Sequence, residues 1–231
     1  MACIAIIPAR GGSKRVPRKN VRNIGGKPVI AYPIQLALQS GIFERVIVST
    51  EDKEIAELAR YFGAEVPFLR DVSLSDDSTT TLEVIADSAL RLNLSNSDLL
   101  CCIYPVTPLL TTERLLQAYG LLQSGHWDYV FSASEFVSPI QRAFRRDVLG
   151  AVSFLQPEYF AVRTQDLEKS FCDAGQFYFG KAEAWKNKSP IFGHKSTFLE
   201  FSRHEVIDVD DERDWMFLEQ ILEIKKLQVN E

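Results

Sequence analysis

The run Cys3-Ile4-Ala5-Ile6-Ile7-Pro8-Ala9-Arg10-Gly11-Gly12-Ser13-Lys14-Arg15-Val16-Pro17-Arg18-Lys19-Asn20 decides the fold. Cys3 to Ile7 is a short, uninterrupted apolar segment stopped by Pro8 and a glycine pair, the pattern of a strand buried on both faces. A basic, glycine-containing loop follows at once. Its two glycines let backbone N–H groups come close to phosphate oxygens, Ser13 adds a hydroxyl, and Arg10, Lys14 and Lys19 supply positive charge against a polyanion. Neither the G-x-x-x-x-G-K-[ST] loop nor the G-x-G-x-x-G dinucleotide fingerprint is present, so the phosphate chemistry is of another kind.

Charge along the chain agrees with that reading. The 231 residues carry a net charge of -5, yet Arg10, Lys14, Arg15, Arg18, Lys19, Arg22 and Lys27 all precede Glu44, the first acidic residue. A cationic end on an anionic chain suits a compact anion such as a nucleoside triphosphate and argues against a long nucleic-acid track. A nucleotide- or nucleic-acid-binding module without catalysis is the rival of another class; in its nucleic-acid form it predicts steep salt-dependent binding. No apolar run approaches the length of a membrane span, and MACIAIIPARGG lacks the order of a signal peptide, so a cytoplasmic protein with no membrane partner is expected. Cys3, Cys101, Cys102 and Cys172 show no C-x-x-C spacing and read as reduced structural thiols.

Beyond the loop the pattern alternates. Helices are expected over Val29–Ser40, about Ile55–Phe62, Leu82–Leu92, Thr112–Ser124 and about Arg213–Leu227. Strands are expected at Arg45–Ser49, Glu65–Phe68, Leu99–Ile103, Tyr129–Ala133 and near Gln176–Phe179. Strands alternating with helices imply an α/β fold with a mainly parallel sheet covered on both faces and ligands at the carboxyl ends of the strands. One domain over residues 1–231 is expected, with an excursion at about 137–175, a lid or a dimer arm, where the alternation lapses.

Late in the chain stands Asp208-Val209-Asp210-Asp211. Carboxylates two apart on an extended segment point the same way, so Asp208 and Asp210 can share one magnesium ion, while Asp211 is placed to cap the last helix. Taken alone, such a run is more often a cap than a metal site; the phosphate loop reverses the odds. His126, His194 and His204 have no ligand spacing, and Trp127, Trp185 and Trp215 read as core or interface residues.

The blocks IIPARGGSKRVPRKN, GKPVIAYPI, VIVSTED, IAELARYFGAEVPFLR, LSDDSTTT and IDVDDERDW, in this order and spacing, resemble the acylneuraminate cytidylyltransferase family along nearly the whole chain. The resemblance implies a Rossmann-like nucleotidyltransferase fold, an inserted dimerisation arm and a homodimer. It also implies transfer of CMP from CTP to a nine-carbon 2-keto sugar acid with magnesium. Residue by residue, it puts Arg10, Ser13, Lys14 and Lys19 on the triphosphate and Asn20 on the nucleotide. It puts Arg70, Thr79 and Thr81 around the cytosine and ribose, Asp77 nearby, and Asp208 and Asp210 on the metal. Where sialic acid members read L-Q-P-T-S-P, this chain reads Ile103-Tyr104-Pro105-Val106-Thr107-Pro108. With SPIQRAF, RTQDLE and DAGQFY, that departure resembles the pseudaminic acid branch more than the sialic acid, legionaminic acid or KDO branches. A sugar carboxylate needs a cation, and Arg142 and Arg163 are candidates for it. Tyr104, Gln165, Asp173, Gln176 and Tyr178 could read the sugar's other groups.

Overall fold

The computed structural model describes residues 1–229. Six strands form one sheet in the order β10-β6-β9-β5-β1-β4. They are β1 (Cys3–Pro8), β4 (Arg45–Ser49), β5 (Leu99–Ile103), β6 (Tyr129–Glu135), β9 (Phe171–Lys181) and β10 (Ser196–Phe201). β1 pairs in parallel with β4 and β5, and β10 with β6, whereas β9 runs antiparallel between β5 and β6. The short pair β2 (Asn23–Ile24) and β3 (Lys27–Pro28) and the hairpin β7 (Phe144–Arg146) and β8 (Val152–Phe154) stand apart from this sheet.

Both faces of the sheet are covered, which is why its inner strands read as continuous apolar runs. Cys3, Ala5 and Ile7 of β1 pack with Cys101 of β5 and Phe177 and Phe179 of β9 on one face. There α1 (Ala31–Ser40), α2 (Lys53–Tyr61) and α4 (Thr112–Gln123) contribute Ile34, Ile55 and Leu115. On the other face Ile4, Ile6, Cys102 and Tyr178 meet Ile85 and Ala89 of α3 (Thr81–Arg91) and Trp185 of α5 (Ala182–Lys186). A third cluster, with Val16, Ile24, Val209, Trp215 and Leu218, seats α6 (Glu212–Val229) beneath the loop after β1. The α/β architecture, mainly parallel with helices on both faces, is the one expected.

Local chemistry explains the helix limits. Pro33 lies in the first turn of α1, where its missing N–H costs nothing, and Gly41 ends that helix at φ 71°. Thr80 and Glu83 form a reciprocal capping box on α3, and Asp52 caps α2 by accepting from Glu54 N and Ile55 N. Asp211 does the same for α6, accepting from Arg213 N and Asp214 N.

Two expectations need correction. Glu65–Phe68 is not a strand: only Glu65 makes a bridge, to Ile47, after which Pro67 removes the donor a ladder would need. β9 spans 11 residues rather than four and is antiparallel, and β10 and α5 follow it unannounced. Between β6 and β9 the chain leaves the sheet and makes the β7–β8 hairpin, packed through Phe154 against Phe144 and Phe160. Phe144, Val148, Leu149, Val152 and Phe160 are exposed there.

Candidate active site

The carboxyl ends of β1 and β5 meet the amino end of α3 around a cleft of about 410 Å³, a size suited to one small ligand. The loop after β1 forms one wall. It is irregular but not loose, because Val16 and Asn20 are buried beneath it and Ala9 N donates to Ser49 O at 3.0 Å. Arg10, Ser13, Lys14, Lys19 and Asn20 line the cleft from this side, and Arg70, Asp77, Thr79, Thr81, Tyr104 and Asp210 line it from elsewhere.

The cations of the loop already converge on oxygen. Asp77 lies 2.7 Å from Arg10 and 2.5 Å from Lys14, and these two partners, Lys14 before Arg10, hold its carboxyl below the usual range. Arg15 pairs with Asp210 at 2.6 Å. Lys19 Nζ donates to the carbonyl of Val209, at 2.7 Å, between the two aspartates in sequence. Burial lowers the Lys19 pKa, with Asp208 and Asp210 pulling the other way. Asp208 is open to solvent by surface area and, unlike Asp210, does not line the cleft, but neighbouring protein crowds its carboxyl. That desolvation, then the nearby Asp210 charge, raises its carboxyl pKa. The basic loop and the late acidic pair, 190 residues apart, therefore share one rim.

Deeper in, Asn20 Nδ2 donates to Arg10 O at 2.9 Å, while its buried Oδ1 has no partner. Arg70 is buried and donates through Nε to Ser75 Oγ. At the far end the Tyr104 hydroxyl sits 2.7 Å from that of Thr81, and burial lifts its pKa to about 12. Tyr178 stacks edge-on against Tyr104 and donates to Asp173; burial is the main reason its hydroxyl holds its proton more tightly than usual.

Some predicted residues fall elsewhere. Arg163 is exposed and spends its Nε on Asp166 at 2.8 Å, and Gln165 lies in the same exposed turn, so this chain does not bring either to its own cleft. Arg142 binds the carbonyls of Phe160 and Val162 and braces the excursion. Gln176 is buried, and its amide donates to Ala174 O. Gly11 does not offer its N–H to the cleft either: that group donates to Glu51 Oε1 at 2.7 Å. A Cβ at Gly11 would overlap Asp52 Oδ2, whereas one at Gly12 would meet open space.

Glu51 and Asp52 are what the sequence reading missed. Their signal was position, directly after β4 at the carboxyl edge of the sheet, in the VSTED block already singled out. Asp52 pairs with Arg18 at 2.5 Å, and Glu51 Oε2 accepts from Arg70 Nη2 at 2.8 Å.

The family model described as cytidylyltransferase matches residues 4–225. The chain belongs to the cytidylyltransferase family. It is therefore a nucleotidyltransferase of the kind that uses CTP. A relative named pseudaminic acid cytidylyltransferase, from Campylobacter jejuni subsp. jejuni serotype O:2, is 42% identical over 94% of both chains. The CMP-N,N'-diacetyllegionaminic acid synthase of Legionella pneumophila is 32% identical over 98% of each. Among solved structures, a CMP:2-keto-3-deoxy-manno-octonic acid synthetase complexed with CTP superposes with TM-score 0.70 over 97% of this chain and all of that one. At 14% identity that last likeness speaks for the cytidylyltransferase fold alone.

Proposed function

We propose that the chain transfers CMP from CTP to the anomeric hydroxyl of pseudaminic acid, releasing diphosphate. The observation that carries this is the shared rim, where Lys19 of the basic loop meets the backbone between Asp208 and Asp210. The 42% identical relative supplies the acceptor. In this reading the Gly12 N–H, Ser13, Arg10, Lys14 and Lys19 hold the triphosphate. Asp77 gives up Arg10 and Lys14 when phosphate oxygens arrive. The free Oδ1 of Asn20 accepts from a ribose hydroxyl, and Arg70, Thr79 and Thr81 surround the nucleoside. Tyr104, Tyr178 and Asp173 receive the sugar.

The donor set suits magnesium. Among the described residues no three metal-ligating side chains gather, so the protein offers an ion here two carboxylates and leaves the other positions to phosphate and water, as magnesium prefers. Asp208, its proton affinity raised by burial and by Asp210, is a carboxylate that a divalent cation would relieve. When bound, magnesium polarises phosphate oxygens and lowers the pKa of a hydroxyl beside it. The protein's own work is positioning: the loop holds the α-phosphorus in line with the attacking oxygen and neutralises charge that moves onto the leaving diphosphate.

The exposed apolar side chains of the β7–β8 hairpin support an arm that pairs two copies into a homodimer. The four cysteines are all free thiols, which suits the cytoplasm where CTP is found. Diphosphate release measured with CTP and magnesium against pseudaminic, legionaminic and N-acetylneuraminic acids tests the reading. We expect kcat/KM for pseudaminic acid to lead by at least about tenfold; no release with any of the three, or preference for another acid, overturns it.

A further inference from the structure

The cleft has a back wall that none of its lining residues explains. Behind the phosphate loop, β4 ends at Ser49, which accepts from Ala9 N, and the chain runs on as Thr50-Glu51-Asp52, with Glu51 accepting from Gly11 N and Asp52 paired with Arg18. Glu51 does not line the cleft, yet its two carboxylate oxygens face two parts of it. Oε1 accepts from Gly11 N at 2.7 Å, the backbone of the phosphate loop; Oε2 accepts from Arg70 Nη2 at 2.8 Å, on the nucleoside side. The Arg70 backbone is tied to the same segment, its N–H donating to Thr50 O at 2.8 Å. The pair is nearly dry: the side chains of Arg70 and Glu51 are 4% and 18% exposed.

We propose that Glu51 is a positioning residue that registers the phosphate loop against Arg70, so that one carboxylate sets the distance between the triphosphate and nucleoside halves of the nucleotide site. The role rests on CTP occupying this cleft. A buried arginine without its counter-charge is costly to leave in place, and the other side-chain partner of Arg70, Ser75 Oγ, is neutral, so the guanidinium would not keep its present position. Removing the bridge would therefore misplace both halves at once. Burial works to raise the Glu51 pKa, but the Gly11 N–H, its own N–H and Arg70 outweigh it and keep the carboxyl below its usual range. Asp52 supports the same wall from the next position: it pairs with Arg18, caps α2, and occupies the space a Cβ on Gly11 would need.

Because the effect passes through two other groups, a double-mutant cycle on diphosphate release is the test. The neutral isostere Glu51→Gln keeps an acceptor for Gly11 but sets an NH2 against Arg70. We expect it to raise KM for CTP about 10- to 100-fold, with kcat within about fivefold, and to lower the melting temperature by about 6–12 °C because the guanidinium of Arg70 loses its counter-charge. Glu51→Gln/Arg70→Gln should be no worse than the poorer single variant by more than about twofold. A KM in Glu51→Gln within about threefold of wild type, or effects that multiply in the double variant, would overturn the role. If Glu51→Gln does not fold, Glu51→Asp keeps the buried charge but withdraws it by about 1.5 Å, one methylene. A wild-type KM in Glu51→Asp also overturns the role. Failure of wild type itself to release diphosphate from CTP strikes the proposed reaction, and the two failures are thereby told apart.

Discussion

The cleft rim and the arm are both irregular backbone, and the chain holds them in opposite ways. The rim, made of residues 9–22 and 202–214, is nailed from beneath by buried Val16, Asn20, Val209 and Trp215. The ion pairs Arg15–Asp210 and Arg22–Glu212, and Lys19 on the Val209 carbonyl, then lace its two segments together. The arm, residues 136–170, carries two three-residue strands, and many of its apolar side chains are exposed, Val148 and Leu149 almost wholly so. Its braces are few: Gln141 and Arg142 donate to carbonyls of the same excursion, and Lys169 reaches Glu135. Irregular chain around the cleft is over-determined by its surroundings, whereas that of the excursion leaves apolar groups uncommitted, as the proposed dimer contact requires.

The comparison breaks first if the rim charges prove dispensable. Asp210→Asn and Lys19→Ala are each expected to cut kcat/KM for diphosphate release by about 1,000-fold or more, since each removes charge opposite the phosphates. Far-ultraviolet circular dichroism should stay unchanged, because both side chains lie at the surface of the cleft. Turnover within about tenfold of wild type in both would mean that the rim does not hold the reacting phosphates.

On the arm, Phe144→Ser combined with Val152→Ser should act on assembly rather than on the sheet. Sedimentation should show the wild-type dimer giving way to monomer at micromolar concentration, with a melting temperature within about 5 °C where monomers are compared. A monomeric wild type would assign the exposed face of the hairpin to something other than a second copy.

How far each region was legible in the sequence follows from the same contrast. β1 and β5 announced themselves because strands buried on both faces must be apolar throughout, β4 and β6 by the shorter apolar runs Val46-Ile47-Val48 and Tyr129-Val130-Phe131, and the basic loop because it follows β1 without a break. The basic loop and the 208–210 segment were legible as the phosphate and metal halves of one site; that Lys19 bonds the Val209 carbonyl was not, because it joins segments 190 residues apart. Glu51 escaped because its function is a contact across 40 residues with a backbone N–H, which leaves no mark on local pattern. β9 was underestimated because its first half, Phe171-Cys172-Asp173-Ala174-Gly175, mixes polar and small residues around a glycine at φ 58°. β10 was missed as an edge strand whose Ser196, Thr197 and Glu200 dilute the apolar signal. Arg163 looked like a sugar clamp in one dimension; in three it belongs to the arm and pairs with Asp166.

The smallest expected effect concerns how the acidic side of the rim is tethered. Glu205 closes the turn that leads from β10 to Asp208, accepting from Ser202 N and Oγ and from Arg114 on α4 at 2.8 Å. Burial works to raise its carboxyl, but these donors prevail and bring the pKa down to about 2. A carboxyl depressed on folding stabilises the native state fully above its unfolded pKa, and that contribution drains away as pH falls toward the folded value. Between about pH 4.5 and pH 2 the wild type should therefore lose about 1–2 kcal/mol that Glu205→Gln never had, after discount for the solvent reaching this pair. Urea unfolding at several pH values reads the difference as a flatter stability curve for the variant. Parallel curves over that window would show that Arg114 and Ser202 do not hold the turn through charge, leaving the rim to Val209 and Trp215 packing and to the Arg15, Lys19 and Arg22 contacts.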